Sequence, residues 1–313
     1  MDKSPVLTII GPTAIGKTSL AIKLAKIFNG EIVGLDSRQI YKGLKIGSAQ
    51  PTDKELQAVA HHLIGERNLD KIISAGEYSK LVHRKIDEIK QRNNLPIICG
   101  GSGLYFRAMK DGIFPGSISA HEIREQLNHE YEINGKEQLF DKLKLIDPEY
   151  AKIVHPNNKK RLVRALEIFE ATGLPPSVHF KNQKQSSISK CKFFTIFLKM
   201  KINDLANRIA KRTDKMLASG LIEETLQLKK YPNYSLMQPL DSIGYKQVLA
   251  FLAEEIDYDE MVTDINLRTR QYAKRQIAWF KKESVDLTLE VLPGSNSHES
   301  AKTIENAYIS YLN

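Results

Sequence analysis

The chain predicts an α/β fold: a P-loop-type parallel sheet flanked by helices, with an inserted all-helical domain. Three observations carry this. Short apolar runs with β-branched members recur at 6–10, 31–35, 95–99 and 192–198, as strands buried on both faces require. Between the first run and a helical pattern sits Gly11-Pro12-Thr13-Ala14-Ile15-Gly16-Lys17-Thr18, which fills the phosphate-loop pattern G-x-x-x-x-G-K-[ST]. The strand–helix rhythm then stops between about 114 and 185, where only helical patterns follow. The expected division is a P-loop catalytic core of residues 1–114 plus 186–313, with a helical domain of 115–185 inserted in it.

The strand at 6–10 opens directly into the loop. Gly11 and Gly16 supply backbone angles that a side chain would block, and let N–H groups approach phosphate oxygens. Lys17 brings a compact positive charge, and the Thr18 hydroxyl can ligate Mg²⁺. Leu20, Leu24 and Ile27 then repeat at helical spacing, closed by Asn29-Gly30. The helix starts where phosphates would sit, so its dipole adds to the site. Residues 11–18 are therefore the candidate diphosphate binders. The motif alone says phosphate chain, not reaction.

The second strand, 31–35, ends on Asp36-Ser37-Arg38-Gln39. Strand C-termini form the active edge of a parallel sheet, so Asp36 should face the phosphate loop; it can equally cap the following turn. Residues 40–51 read as loop, and His61-His62 as structural or substrate-contacting rather than a metal pair. Residues 76–91 form an amphipathic helix. The third strand ends on Gly100-Gly101-Ser102, where a nucleoside triphosphatase usually places an Asp for Mg²⁺. A glycine turn suits close backbone approach to a ligand, and Ser102 puts a hydroxyl at its mouth.

In the insertion, helices are expected at 123–131, 136–146 and 159–172. Leu162, Ala165, Leu166 and Phe169 make an apolar stripe, with Lys160, Arg161 and Arg164 elsewhere around the helix. A strand at 192–198 rejoins the sheet. The helix of 204–219 carries Arg208, Arg212 and Lys215 on one stripe, which either points into the phosphate site or is solvated. Arg268, Tyr272, Arg275 and Trp279 share a later helical face, suited to core packing or to stacking and pairing with a nucleic acid. A strand at 285–291 and a short helix close the chain.

Bulk composition narrows the class. Net charge is +9 with a pI near 9.2 over 313 residues. Eight Lys/Arg against two acids lie between 155 and 192, and six against none between 268 and 282. Such concentrations suit an anionic partner such as nucleic acid, or a solvated face. Cys99 and Cys191 show neither disulfide-framework nor zinc spacing. No apolar run approaches the ~20 residues of a membrane span. A cytoplasmic protein without membrane attachment is expected, in monomeric form.

These landmarks together resemble the tRNA dimethylallyltransferases (tRNA isopentenyltransferases). The matching stretches are Gly-Pro-Thr-Ala-x-Gly-Lys-Thr at 11–18, Asp-Ser-Arg-Gln-Ile-Tyr-Lys-Gly at 36–43 and Gly-Gly-Ser-Gly-Leu-Tyr at 100–105. His-Pro-Asn-Asn at 155–158 leads to Arg161-Leu162-Val163-Arg164-Ala165-Leu166-Glu167. Ser-Ile-Gly-Tyr-Lys-Gln at 242–247 and Thr-Arg-Gln-Tyr-Ala-Lys-Arg-Gln at 269–276 follow. The sequence departs at Ser48 and Gln50, where Thr and Lys are usual, at Ser102 for Thr, and at Gly65 for a frequent Asp.

The resemblance implies transfer of a dimethylallyl group from its diphosphate to N6 of the adenosine 3′-adjacent to a tRNA anticodon, with Mg²⁺ as cofactor. It implies Asp36 as proton acceptor, Ser102 as hydrogen-bonding partner of the amine or diphosphate, and Lys17 and Arg212 as stabilisers of the leaving group. The anticodon stem-loop would meet Asp36, Ser37, Arg38, Gln39, Ser102, Gly244, Tyr245, Lys246 and Arg275. The insertion would add Arg124, Lys160, Arg161, Leu162, Val163 and Arg164. Two other readings exist. An adenylate isopentenyltransferase acting on a free nucleotide needs no basic insertion, and a P-loop small-molecule kinase leaves residues 36–43 unexplained.

Overall fold

The structure, a computed structural model, describes residues 4–112, 121–186, 191–294 and 297–313. The chain divides into two compact units, Met1–Phe106 with Cys191–Asn313, and Arg107–Lys190. The expected boundary at 114/115 lies outside the described residues.

The elements up to the second unit are β1 (Val6–Ile10), α1 (Lys17–Phe28), β2 (Gly30–Leu35), α2 (Asp53–Ala58), β3 (His61–His62), α3 (Ala75–Gln91), β4 (Leu95–Gly100) and α4 (Gly103–Asp111). The second unit carries α5 (His121–Ile146), α6 (Pro148–Ala151), α7 (Lys159–Thr172) and α8 (Pro176–Ser186). The chain returns as β5 (Phe193–Lys199), α9 (Ile202–Ala218), α10 (Leu221–Lys229), α11 (Tyr245–Leu252), α12 (Tyr258–Phe280), β6 (Leu287–Glu290) and α13 (Ser297–Leu312).

All six strands pair in parallel, in the order β3-β2-β4-β1-β5-β6. The chain winds from β1 towards β2 and β3, then crosses β1 to reach β5. The carboxyl end of β1, with Ile10 level with Gly100 and Phe197, is therefore the switch point where a crevice opens. Every residue of β1 is buried, which its uninterrupted apolar run required.

Helix α1 packs Leu20, Ala21, Leu24 and Ala25 into the core. Ile27, expected in that stripe, is 41 % exposed; the alanines one position on from each leucine turn the buried face away from it. Asn29 ends the helix in the left-handed region at φ 48°, a conformation Asn tolerates. Helix α3 starts on a Ser74 cap, and its Tyr78 hydroxyl donates to the Gly34 carbonyl at 2.7 Å. At the far side, Tyr308 of α13 donates to the Pro5 carbonyl at 2.6 Å and packs edge-on against Phe28 and Phe194.

The helical unit has its own core, in which Leu127, Leu139, Leu143, Leu162 and Leu166 are buried. The helix α5 is broken at Gly135, whose φ of 81° and ψ of 167° are not helical. The two halves correspond to the separate helices expected at 123–131 and 136–146. Helices α2, α8, α10 and α11 and the short strand β3 lie outside the elements expected from the sequence.

Candidate active site

The phosphate loop is built by contacts made far along the chain. A Cβ at Gly11 would lie 2.8 Å from the Leu198 carbonyl oxygen on β5, so only glycine fits there. Gly16 sits at φ 100° and begins α1 with no side-chain cap, leaving the first-turn N–H groups to an anion. Arg208 donates to the Ile15 carbonyl at 2.9 Å and Arg212 to the Thr13 hydroxyl at 2.8 Å. The basic stripe of α9 thus grips the loop, and Lys215 lines the same cavity.

Within the loop, Lys17 Nζ donates to the Gly11 and Pro12 carbonyls at 3.0 and 2.8 Å. Burial pushes its pKa down to about 8, opposed by the Cys99 thiol and Asp36 and assisted by Arg212. Burial likewise lowers Arg212, opposed by Asp36. One expectation needs trimming: the Thr13 N–H already donates to Gln276 Oε1 at 2.9 Å, and Pro12 has none to give. The open amides of the loop are those nearer α1.

Asp36 does both things open to it. Its Oδ1 accepts from the Arg38 and Gln39 N–H groups at 2.8 and 3.3 Å, closing an Asx-type turn. It also lines two cavities. The larger, about 710 Å³, runs from the phosphate loop with Lys17 and Thr18 past Ile32, Gly34 and Cys99. The smaller, about 290 Å³, is bounded by Ser37, Arg38, Ile209, Ser242, Gly244 and Thr269. Thr13, Asp36, Ser48, Arg212, Met216 and Tyr272 line both.

The wall between residues 36 and 52 is braced from three sides. Gln39 Nε2 donates to the Ser48 and Ala49 carbonyls, and Gln50 Nε2 donates back to those of Gln39 and Tyr41. Glu224 on α10 accepts from the Ile46 and Gly47 N–H groups and from the Tyr245 hydroxyl. Burial and the adjacent Glu224 raise the Tyr245 pKa far above its ordinary value.

Several expected contacts are corrected by burial. Ser102 is 8 % exposed and lines neither cavity. Its Oγ accepts from the Ser37 N–H at 3.2 Å, and it shares a side-chain hydrogen bond with Tyr272. Its hydroxyl therefore stands behind the wall rather than at the mouth. Tyr245 is fully buried; a Cβ at Gly47 would lie 2.3 Å from its ring. Leu162 and Val163 are in the core of the helical unit, so their side chains offer nothing to RNA. Lys246 pairs with Asp241 at 3.0 Å on the surface, and the exposed Arg275 lies over the Tyr272 ring.

In the helical unit, Arg124 forks onto Glu167 with two bonds of 2.9 Å, and Arg164 adds a third at 2.8 Å. Glu167 is fully buried, so both guanidiniums brace the unit. Lys160 and Arg161 are exposed.

Sequence reasoning missed Gln276 and Glu224 as parts of the site and left Tyr272 between core packing and nucleic-acid stacking. Tyr272 and Gln276 stand at i and i+4 on α12, so the signal was present once one of them was placed. Glu224 carried none. Among the described residues, no group of three or more His, Cys, Asp or Glu could hold a metal, and no helix is long and apolar enough to cross a membrane.

The IPP transferase family matches the chain over residues 39–283, a span that takes in the braced wall, the helical unit and α12. The chain belongs to the IPP transferase family. A tRNA dimethylallyltransferase of Salinibacter ruber is 36 % identical over 304 residues, covering 97 % of this chain and 93 % of that protein. The solved full-length tRNA isopentenylpyrophosphate transferase of Bacillus halodurans superposes with a TM-score of 0.70 at 32 % identity, covering 99 % and 98 %. A eukaryotic dimethylallyltransferase acting on tRNA superposes with a TM-score of 0.80 at 27 % identity, covering 98 % and 80 %. As a member of the family this chain is an enzyme, with the α/β core and parallel sheet described above.

Proposed function

We propose that the chain transfers a dimethylallyl group from dimethylallyl diphosphate to N6 of the adenosine 3′-adjacent to a tRNA anticodon, giving N6-isopentenyladenosine. The observation that carries this reading is the shared wall. On this reading the donor diphosphate enters the cavity of the phosphate loop and the adenine the smaller one, and Asp36 lines both.

The N6–carbon bond forms as the allylic carbon–oxygen bond breaks and diphosphate leaves. Negative charge grows on the phosphate oxygens, where Lys17, Arg212 and the first amides of α1 stabilise it. The adenine amine is a feeble nucleophile because its lone pair is delocalised into the ring. Its proton passes to the Asp36 carboxylate as the new bond forms. Ser102 acts from behind, holding Ser37 and Tyr272. A loop base swung out of its stack suits such a pocket. The exposed Lys160 and Arg161 supply backbone phosphate contacts.

Mg²⁺ usually keeps few protein ligands and rides on substrate phosphates. The Thr18 hydroxyl at the cavity wall fits that donor set, and the ion would neutralise the leaving group.

The test is incubation of an anticodon stem-loop with enzyme and either dimethylallyl diphosphate or ATP, followed by mass analysis. An added five-carbon unit on the RNA is expected with the first donor alone. In a parallel incubation with adenylate added, prenylation of the free nucleotide with RNA untouched would favour the mononucleotide reaction, and phosphate transfer from ATP a kinase.

A further inference from the structure

One buried amide joins two parts of the site that lie far apart in sequence. Gln276 is 5 % exposed. Its Oε1 accepts from the Thr13 N–H at 2.9 Å, and its Nε2 donates to the Gly101 carbonyl at 2.8 Å. An N–H can only donate and a carbonyl only accept, so both ends of the amide are fixed by chemistry. There is no slack either. A Cβ at Gly101 would lie 2.4 Å from Gln276 Nε2, and one at Gly103 would lie 2.6 Å from the Trp279 ring. Tyr272 meets the residue between them, Ser102. Three side chains of α12, at i, i+4 and i+7, thus meet three successive residues of the turn after β4.

We propose that Gln276 is a positioning residue for the transfer, setting the phosphate loop at Thr13 and the Ser102 turn at Gly101 in register through a single side chain. The inference rests on the reaction proposed above. Thr13 lines both cavities and takes Arg212 on its hydroxyl. Ser102 holds the N–H of Ser37, next to the proton acceptor Asp36. A shift of the amide therefore displaces the leaving-group side and the acceptor side together. Misplacement by about 1 Å costs on the order of 10²-fold in rate. The charged and titratable groups lining the same cavity are Lys17 on α1, Asp36 after β2, Lys45, Asp53 and Glu55 on α2 and the loop before it, His61 on β3, Cys99 on β4, Arg212 and Lys215 on α9 and Tyr272 on α12.

Two variants of the full chain separate this role from simple packing. Gln276→Met keeps the volume and removes both bonds. Gln276→Glu keeps the acceptor for Thr13 when ionised but has no proton for Gly101; protonated, it reproduces both bonds. Turnover on tRNA, affinity for inorganic diphosphate and melting temperature are measured beside wild type from about pH 6 to about pH 8, the range in which a buried carboxyl titrates. We expect Gln276→Met to lose roughly 10- to 100-fold in turnover at every pH. The ratio of Gln276→Glu to wild type should rise as pH falls, and its diphosphate affinity with it. Near-wild-type turnover per folded enzyme in both variants, with only the melt lowered, would overturn the proposal, as would a ratio for Gln276→Glu that is flat with pH. If Gln276→Met does not fold, the pH series of Gln276→Glu decides alone. Wild type that binds diphosphate yet transfers nothing removes the reaction itself, and the diphosphate affinities still report on Gln276.

Discussion

Asp36 holds the turn after β2 with one oxygen and faces both cavities, and the two duties separate on substitution. Asp36→Asn keeps an oxygen for the turn but is no longer a proton acceptor. Turnover should fall by ~10²–10⁴ while the melting temperature stays put; near-normal single-turnover transfer would take Asp36 out of the reaction. Lys17 gives a second prediction. Its pKa is depressed to about 8 by burial, and diphosphate needs the charged form. The free enzyme loses that charge as pH rises through about 8, so kcat/KM for the donor is level below this and falls about tenfold per unit above. Turnover at saturating donor should hold to higher pH, because bound diphosphate raises the lysine's pKa. A kcat/KM profile level up to about pH 10, near the ordinary lysine value, removes Lys17 from donor binding.

The helical unit carries two kinds of cation, and they should answer to different measurements. Arg124 and Arg164 are tied to the buried Glu167. Replacing Glu167 by Ala leaves both guanidiniums without their partner. A fully buried pair loses about 3–5 kcal/mol when broken; here both arginines can turn to water, so a loss of about 1–3 kcal/mol is expected in thermal or denaturant melts. Lys160 and Arg161 are exposed to solvent. Removing both should leave the melt unchanged and flatten the salt dependence of anticodon stem-loop binding by roughly 0.7–0.9 per phosphate contact. An unchanged slope would mean that these two side chains do not touch the RNA backbone.

Two cavities meeting at one carboxylate make a statement about the whole reaction. On the proposed reaction both substrates are present together, each cavity opening onto Asp36. Initial rates with both substrates varied should give intersecting double-reciprocal lines; parallel lines would point to a prenylated enzyme. What could be read from sequence follows the same division between local and distant. The strands other than β3, the phosphate loop and the break between the two halves of α5 are local patterns, and each was legible. Arg212 was legible as one of two fates for a stripe. Gln276 bonds residues 263 and 175 positions away, and Glu224 grips a wall some 177 positions earlier. Periodicity carries no information about such pairings. Ser102 misled for a related reason: its turn lies at the active edge, but α12, arriving much later in the chain, covers it.

The lysine that rests on its own loop carries a consequence for product release. On the proposed reaction, the diphosphate set free has one more ionisable oxygen than the ester it came from, so a bare cationic loop would hold the product more firmly than the donor. Lys17 Nζ donates to the Gly11 and Pro12 carbonyls of its own loop. Hydrogen bonds from a charged group contribute about 1.5–3 kcal/mol each, and they return to the enzyme when diphosphate departs. That return subsidises ejection rather than capture, and it sets how soon the loop is vacant for the next donor.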